Sequence, residues 1–173
     1  MRKLTGGLLI IYLLLTSLAV IRVIFGLQIN LWLMPLNTLV GFLFSVSHSS
    51  QRHGWKATFV LLASVFIISL GMESIGVVTG LIYGPYHYTD QLGVKFLGLV
   101  PFLIPIAWFM MIYPSSVIAE RLLMPGGRGG IIQRFGVAAL AGVIMTAWDL
   151  SMDPMMVFAG HWVWEVDGAF FGV

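Results

Sequence analysis

Long uninterrupted apolar runs constrain this chain more than any motif in it. A membrane-crossing helix needs about 20 apolar residues. Five stretches approach that length: about Leu4 to Phe25, Leu31 to Val46, Ala57 to Tyr83, Phe96 to Tyr113 and Phe135 to Asp149. Hydrophobic residues make up 59% of the chain and charged residues only 9%, against roughly 25% charged in a soluble domain. The expectation is an all-α, polytopic transmembrane bundle of about five spans, with a short interfacial or re-entrant segment at the C-terminus. The 173 residues allow a single membrane domain, 1–173. Arg2 and Lys3 before the first run resemble a signal peptide, but the run is too long and lacks a small-residue cleavage site, so it reads as a retained span. Pro85 and Pro114 are expected helix stops. Met124-Pro125-Gly126-Gly127-Arg128-Gly129-Gly130 has the chemistry of a loop.

Charge orients such a chain. With the N-terminus inside, the cytoplasmic side carries Arg2, Lys3, Arg52, Lys56, Arg121, Arg128 and Arg134, and the outer side only Arg22 and Lys95. Excess Lys and Arg mark cytoplasmic loops, so the expectation is a multi-pass cell-membrane protein with a cytoplasmic N-terminus, surrounded by membrane lipids. A net charge of +2 gives no reason to expect a nucleic-acid partner. The absence of cysteine excludes disulfides, thiolate catalysis and Cys-ligated zinc.

Against this apolar background, Glu73, Asp149 and Asp153 stand out. A carboxylate inside a membrane costs a few kcal/mol by insertion scales and is rare unless it works or is paired. No Lys or Arg lies in the same runs. In the N-in orientation the third and fifth spans both run outward. Glu73 then lies past mid-depth, Asp149 and Asp153 fall near the outer end, and Asp90 sits in an outer loop. Four acids on one side favour one site. Asp149 and Asp153 are spaced i, i+4, on one face if the helix continues, although Pro154 puts Asp153 at or just past the expected helix end. Two like charges so close resist joint ionisation, which suits a general acid. The plainer reading is a solvent-exposed Asp153 and a structural Asp149. Gly76 and Gly80, spaced to admit a neighbouring helix, share the face of Glu73, so it faces protein or a cavity rather than lipid. The plainer reading there is a structural hydrogen bond to another helix.

The aromatic turn Tyr83, Tyr86, Tyr88 and the pair Trp162 and Trp164 fit an interfacial belt, as do Trp32, Trp55 and Trp108, while Trp148 is set with the candidate substrate-binding aromatics. The alternative is a lining for a greasy substrate whose rings stabilise a cation. His87 and His161 can join the acids on the outer side as supporting polar groups. His48 and His53, beside Arg52, read as a solvated cytoplasmic face. No metal-ligand spacing is present, so no metal is expected. The ten methionines read as adaptable packing.

Four stretches resemble the membrane-integral carotenoid biosynthesis family that includes carotenoid 1,2-hydratases and bisanhydrobacterioruberin hydratases. They are Glu73 through Gly76, Gly80, Tyr83 and Gly84 to Asp90; Leu92-Gly93 and Lys95 through Pro101, Pro105 and Trp108; Ala147-Trp148-Asp149-Leu150-Ser151-Met152-Asp153-Pro154; and Gly160-His161-Trp162-Val163-Trp164 with Gly168 to Gly172. They cover the C-terminal two thirds. Members of that family usually continue past the equivalent of Val173, so the chain is expected to be truncated at its C-terminus.

The resemblance implies a hydratase, a lyase, acting on a carotenoid or other long isoprenoid lipid, with no cofactor. Hydrating an isolated terminal double bond takes an acid to protonate one carbon, a means of stabilising the tertiary cation, and a base for the attacking water. Glu73 and Asp149 are the leading acid/base pair, with Asp153 as partner. Two other readings compete. Asp149-x-x-x-Asp153 could hold magnesium in a prenyl-lipid transferase, but the outer side offers few basic residues to grip a diphosphate. Glu73 and Asp149 could relay protons in a transporter, but the inner halves of their spans are plain.

Overall fold

In a computed structural model of the chain, residues 2–28, 32–127 and 129–166 are described. The start of the expected second span at Leu31, the loop residue Arg128 and the Gly168–Gly172 stretch lie outside them. Among the described residues, four helices are long and apolar enough to cross a membrane: α1 (Arg2–Ile24), α2 (Leu33–Thr79), α3 (Leu103–Leu123) and α4 (Ile131–Phe158). Their outward faces carry large exposed apolar side chains such as Leu14, Phe59, Ile67, Val78, Ile132 and Phe135. On a soluble protein so much apolar surface would drive aggregation; in a bilayer it is the favoured exterior.

The second and third expected spans are continuous in α2. Its 47 residues would extend about 70 Å if straight, more than twice the hydrocarbon thickness of about 30 Å. The helix instead doubles back at Gly54, whose backbone is non-helical (φ 79°, ψ 161°). Phe42 and Phe66 consequently meet with ring centroids 6.4 Å apart, and Ser49 Oγ lies 2.9 Å from Thr58 Oγ1. The expected loop is therefore only a sharp bend; His53 and Arg52 are exposed as expected, whereas His48 is half-buried. Its Nδ1 lies 2.7 Å from the Tyr113 hydroxyl. Arg52 ties the bend to the end of α3 through Glu120, 2.9 Å away.

That backbone conformation belongs almost exclusively to glycine, and another residue held there costs about 1–3 kcal/mol. Nothing lies within 4 Å of a Cβ built on Gly54, so the strain would act alone. Gly54→Ala should lower the thermal unfolding midpoint of the detergent-solubilised protein. Gly71→Ala, mid-helix and equally uncrowded, should leave it unchanged or raise it.

Proline does not stop α3 where expected. Pro114 lies inside the helix and cannot donate to the carbonyl of Met110, one turn back. Ser45 of α2 supplies a substitute donor, its hydroxyl 3.4 Å from that carbonyl. Such repairs are how membrane helices tolerate proline. The start of α3 is also later than expected. Phe96 belongs to a short hairpin, β2 (Lys95–Phe96) with β3 (Val100–Pro101). α4 likewise runs past Asp149 and through Pro154 to Phe158, so Asp153 is intrahelical.

α2 packs against α1 and α3, and α3 against α4. Polar pairs secure α1 to α2 within the apolar bundle: Thr5 with Ser47 at 2.6 Å and Thr16 with Asn37 at 3.3 Å. α2 ends at Gly80, a left-handed C-cap, five residues before the expected stop at Pro85. The C-terminal segment, expected to be interfacial or re-entrant, forms β4 (Trp162–Trp164), antiparallel to β1 (Tyr86–Tyr88).

Candidate active site

The β1–β4 ribbon builds one wall of the site, and period-two geometry explains how. Alternate strand residues face opposite sides. Tyr86 and Tyr88 are buried while His87 is exposed. Tyr86 stands opposite Trp164 and Tyr88 opposite Trp162, so four aromatic rings share one face. Ring centroids are 5.1 Å apart in the first pair and 5.9 Å in the second. Thr89 fastens the ribbon to the end of α4, its hydroxyl donating to the Gly160 carbonyl at 2.7 Å. Lys95 holds β1 from the other side, donating to the Tyr88 carbonyl at 2.7 Å.

Glu73 lies beneath this ribbon, only 5% exposed. Its Oε2 accepts from the Tyr86 hydroxyl at 2.5 Å and the Tyr88 hydroxyl at 2.8 Å, and its Oε1 from Trp108 Nε1 at 2.8 Å. Three donors thus replace water around a buried carboxylate, which compensates its desolvation. Burial first, and then the Glu73 charge, pushes both tyrosine pKa values up, so the two hydroxyls remain donors. Gly76 does not admit another helix, as its spacing suggests. It admits the chain's own turn: a Cβ there would come within 3.0 Å of the Tyr83 ring.

α4 contributes the other two acids. Asp153 accepts from Trp162 Nε1 at 2.6 Å. Asp149 makes no hydrogen bond among the described residues, yet lies within electrostatic reach of Asp153 and Glu73. All three acids line one cavity of about 510 Å³, together with Tyr83, Tyr86, Tyr88, Trp108, Trp162 and Trp164. That volume is typical of small-molecule pockets, roughly 300–1,000 Å³.

Four other candidate residues lie elsewhere. Asp90 is at the surface, paired with Lys95 at 2.8 Å, which holds its carboxyl below the usual range. His87 faces Glu165 at 3.4 Å on the exposed side of the ribbon. His161 is buried, and burial pushes its pKa down. The Trp148 indole nitrogen is buried without a partner among the described residues, outside the cavity lining.

Sequence reasoning missed much of the lining. Met34 and Thr38 of α2, Met110 and Met111 of α3, and Met145, Met152 and Met156 of α4 all face the cavity. For α4 the signal was present. Positions 145, 149, 152, 153 and 156 fall on one helical stripe. For Met34 and Thr38 nothing local marks them out.

A family model described as "Carotenoid biosynthesis protein" matches residues 10–173, nearly the whole chain. The chain belongs to the carotenoid biosynthesis protein family. A curated relative, bisanhydrobacterioruberin hydratase of Haloarcula japonica, is 34% identical over 112 residues, covering 65% of this chain and 36% of the relative. The chain therefore spans little more than a third of that relative's length. No solved structure matches it. In this carotenoid biosynthesis protein, the three acids and the paired aromatic strands fall within the stretches that carried the resemblance.

Proposed function

We propose that this carotenoid biosynthesis protein is a hydratase that adds water to a terminal carbon–carbon double bond of an acyclic carotenoid. The single observation that carries this reading is the cavity itself: three carboxylates and six aromatic side chains facing one apolar space. The hydratase name of the relative points the same way. The long polyene would lie among the apolar helices and present one isopropylidene end to the acids.

The residues divide the work by their hydrogen bonds. Among the described residues Asp149 has no donor holding it as a carboxylate, so it is the proton donor. Its proton adds to the CH carbon of the double bond, and the π electrons form the new C–H bond. The positive charge appears on the dimethyl-substituted carbon. Glu73, fixed by Tyr86, Tyr88 and Trp108, is an immobile counter-charge for that cation. Preorganised charge of this kind acts most strongly in a water-poor site. The aromatic faces of the lining add cation–π stabilisation. Attack by water then gives a tertiary alcohol.

Expression in cells that make an acyclic carotenoid with isopropylidene ends tests this reading. The expected result is a new carotenoid heavier by one water, absent from the empty-vector control. No such product, with the protein verified in the membrane, would overturn it.

We also propose the cytoplasmic N-terminus, with the ribbon on the outer side. The chain has no cysteine, so single cysteines report topology directly. An impermeant thiol reagent added to intact cells should label Gln91→Cys but not Lys56→Cys. The reverse pattern would refute this orientation.

A further inference from the structure

The hydratase reading needs a place for the nucleophile, and one unexplained polar atom marks it. The Trp164 indole N–H is buried yet completes no hydrogen bond of full geometry among the described residues. A buried, unsatisfied donor costs about 1–3 kcal/mol, and such atoms in native proteins call for an explanation such as a bound water. Trp164 lines the cavity with Asp153, and its indole comes near enough to that carboxylate for a weak hydrogen-bonding interaction that falls short of full hydrogen-bond geometry. Trp162 already donates to Asp153 Oδ1, which leaves Oδ2 free. A donor and an acceptor this close that do not complete a full hydrogen bond can share a water bonded to both.

We infer that Trp164 Nε1 and Asp153 Oδ2 hold the attacking water, with Asp153 as the base that takes its proton. This rests on the hydratase reading and deepens it. The water accepts from the indole and donates to the carboxylate, so an oxygen lone pair is left for the cation. As the C–O bond forms, one O–H bond breaks and its proton passes to Asp153. The water's remaining O–H becomes the alcohol. Asp149 has by then lost its proton and Asp153 has gained one. Residues four apart on a helix have Cβ atoms about 5–6 Å apart, so a proton passing from Asp153 to Asp149, directly or through solvent, restores the starting state. Trp162 is a positioning residue, since it acts by holding Asp153.

Splitting protonation from water capture tests the assignment. Membranes carrying each full-length variant are incubated with an isopropylidene-ended acyclic carotenoid in heavy water. Mass spectrometry then measures both the alcohol and the deuterium in the recovered alkene. A cation that is formed but not captured returns a proton and leaves deuterium behind. Wild-type protein gives alcohol, and Asp149→Asn gives neither alcohol nor exchange. Trp164→Phe, which keeps an aromatic ring but loses the donor, and Asp153→Asn should each cut alcohol on the order of a hundredfold while exchange persists. Equal loss of alcohol and exchange in both variants, or full hydration in either, would overturn the water site. A wild-type protein giving neither signal would instead overturn the hydratase reading on which it rests.

Discussion

Glu73→Gln is expected to lower turnover by about 10²–10³-fold, the scale seen when a preorganised electrostatic group is removed, without unfolding the protein. The reason lies in the donors around it. Trp108 Nε1 can only donate, so the glutamine oxygen must face it at the Oε1 position. The amide nitrogen then meets Tyr86 and Tyr88, whose hydroxyls rotate to accept. The cage survives with reversed hydrogen bonds, at a stability cost of about 1–2 kcal/mol. The counter-charge does not survive. Glu73→Ala is different, because it leaves three buried donors without an acceptor, each costing about 1–3 kcal/mol. Steady-state turnover beside a thermal unfolding midpoint separates the two outcomes. Gln should lose activity with little change in midpoint, and Ala should lose both. Near-wild-type turnover of Glu73→Gln would remove Glu73 from the reaction.

Asp149→Asn is expected to cost more in rate and less in stability. Asp149 makes no hydrogen bond among the described residues, so the amide breaks none. It does remove the proposed proton donor, and general acid catalysis is worth about 10²–10⁴-fold. Protonating an isolated alkene has no easier alternative route, so the loss should lie at the upper end of that range. Product formation in membranes matched for protein content checks it. An Asp149→Asn variant with ordinary turnover would transfer the donor role to another group.

What was legible in the sequence follows from the range of the physics involved. Hydropathy is local, so the membrane class and the apolar runs could be read directly. The depth of Glu73, Asp149 and Asp153 followed from counting residues along spans of alternating direction, and those three residues do face one cavity. Tyr86-x-Tyr88 and Trp162-x-Trp164 have the period-two spacing of strands, but no strand was expected there, because each becomes one only through a partner more than 70 residues away in the chain. Proline misled for a related reason. Whether Pro114 ends a helix depends on Ser45, on a different helix, reaching the orphaned Met110 carbonyl. The bend at Gly54 looked like a loop because Ser49, Gln51, Arg52 and His53 are polar. Ser49 is instead buried against Thr58, and the exposed Gln51 and Arg52 bond to Ser47 and Glu120.

Hydration of a carotenoid end in the apolar cavity lined by Glu73, Asp149 and Asp153 is the proposed reaction. Its sharpest test supplies membranes containing this chain with an isopropylidene-ended carotenoid in water labelled with oxygen-18. One labelled oxygen is expected in the product, on the tertiary carbon, with no loss of yield when dioxygen is removed. An unlabelled oxygen, a requirement for dioxygen, or a product that has gained no oxygen would contradict it.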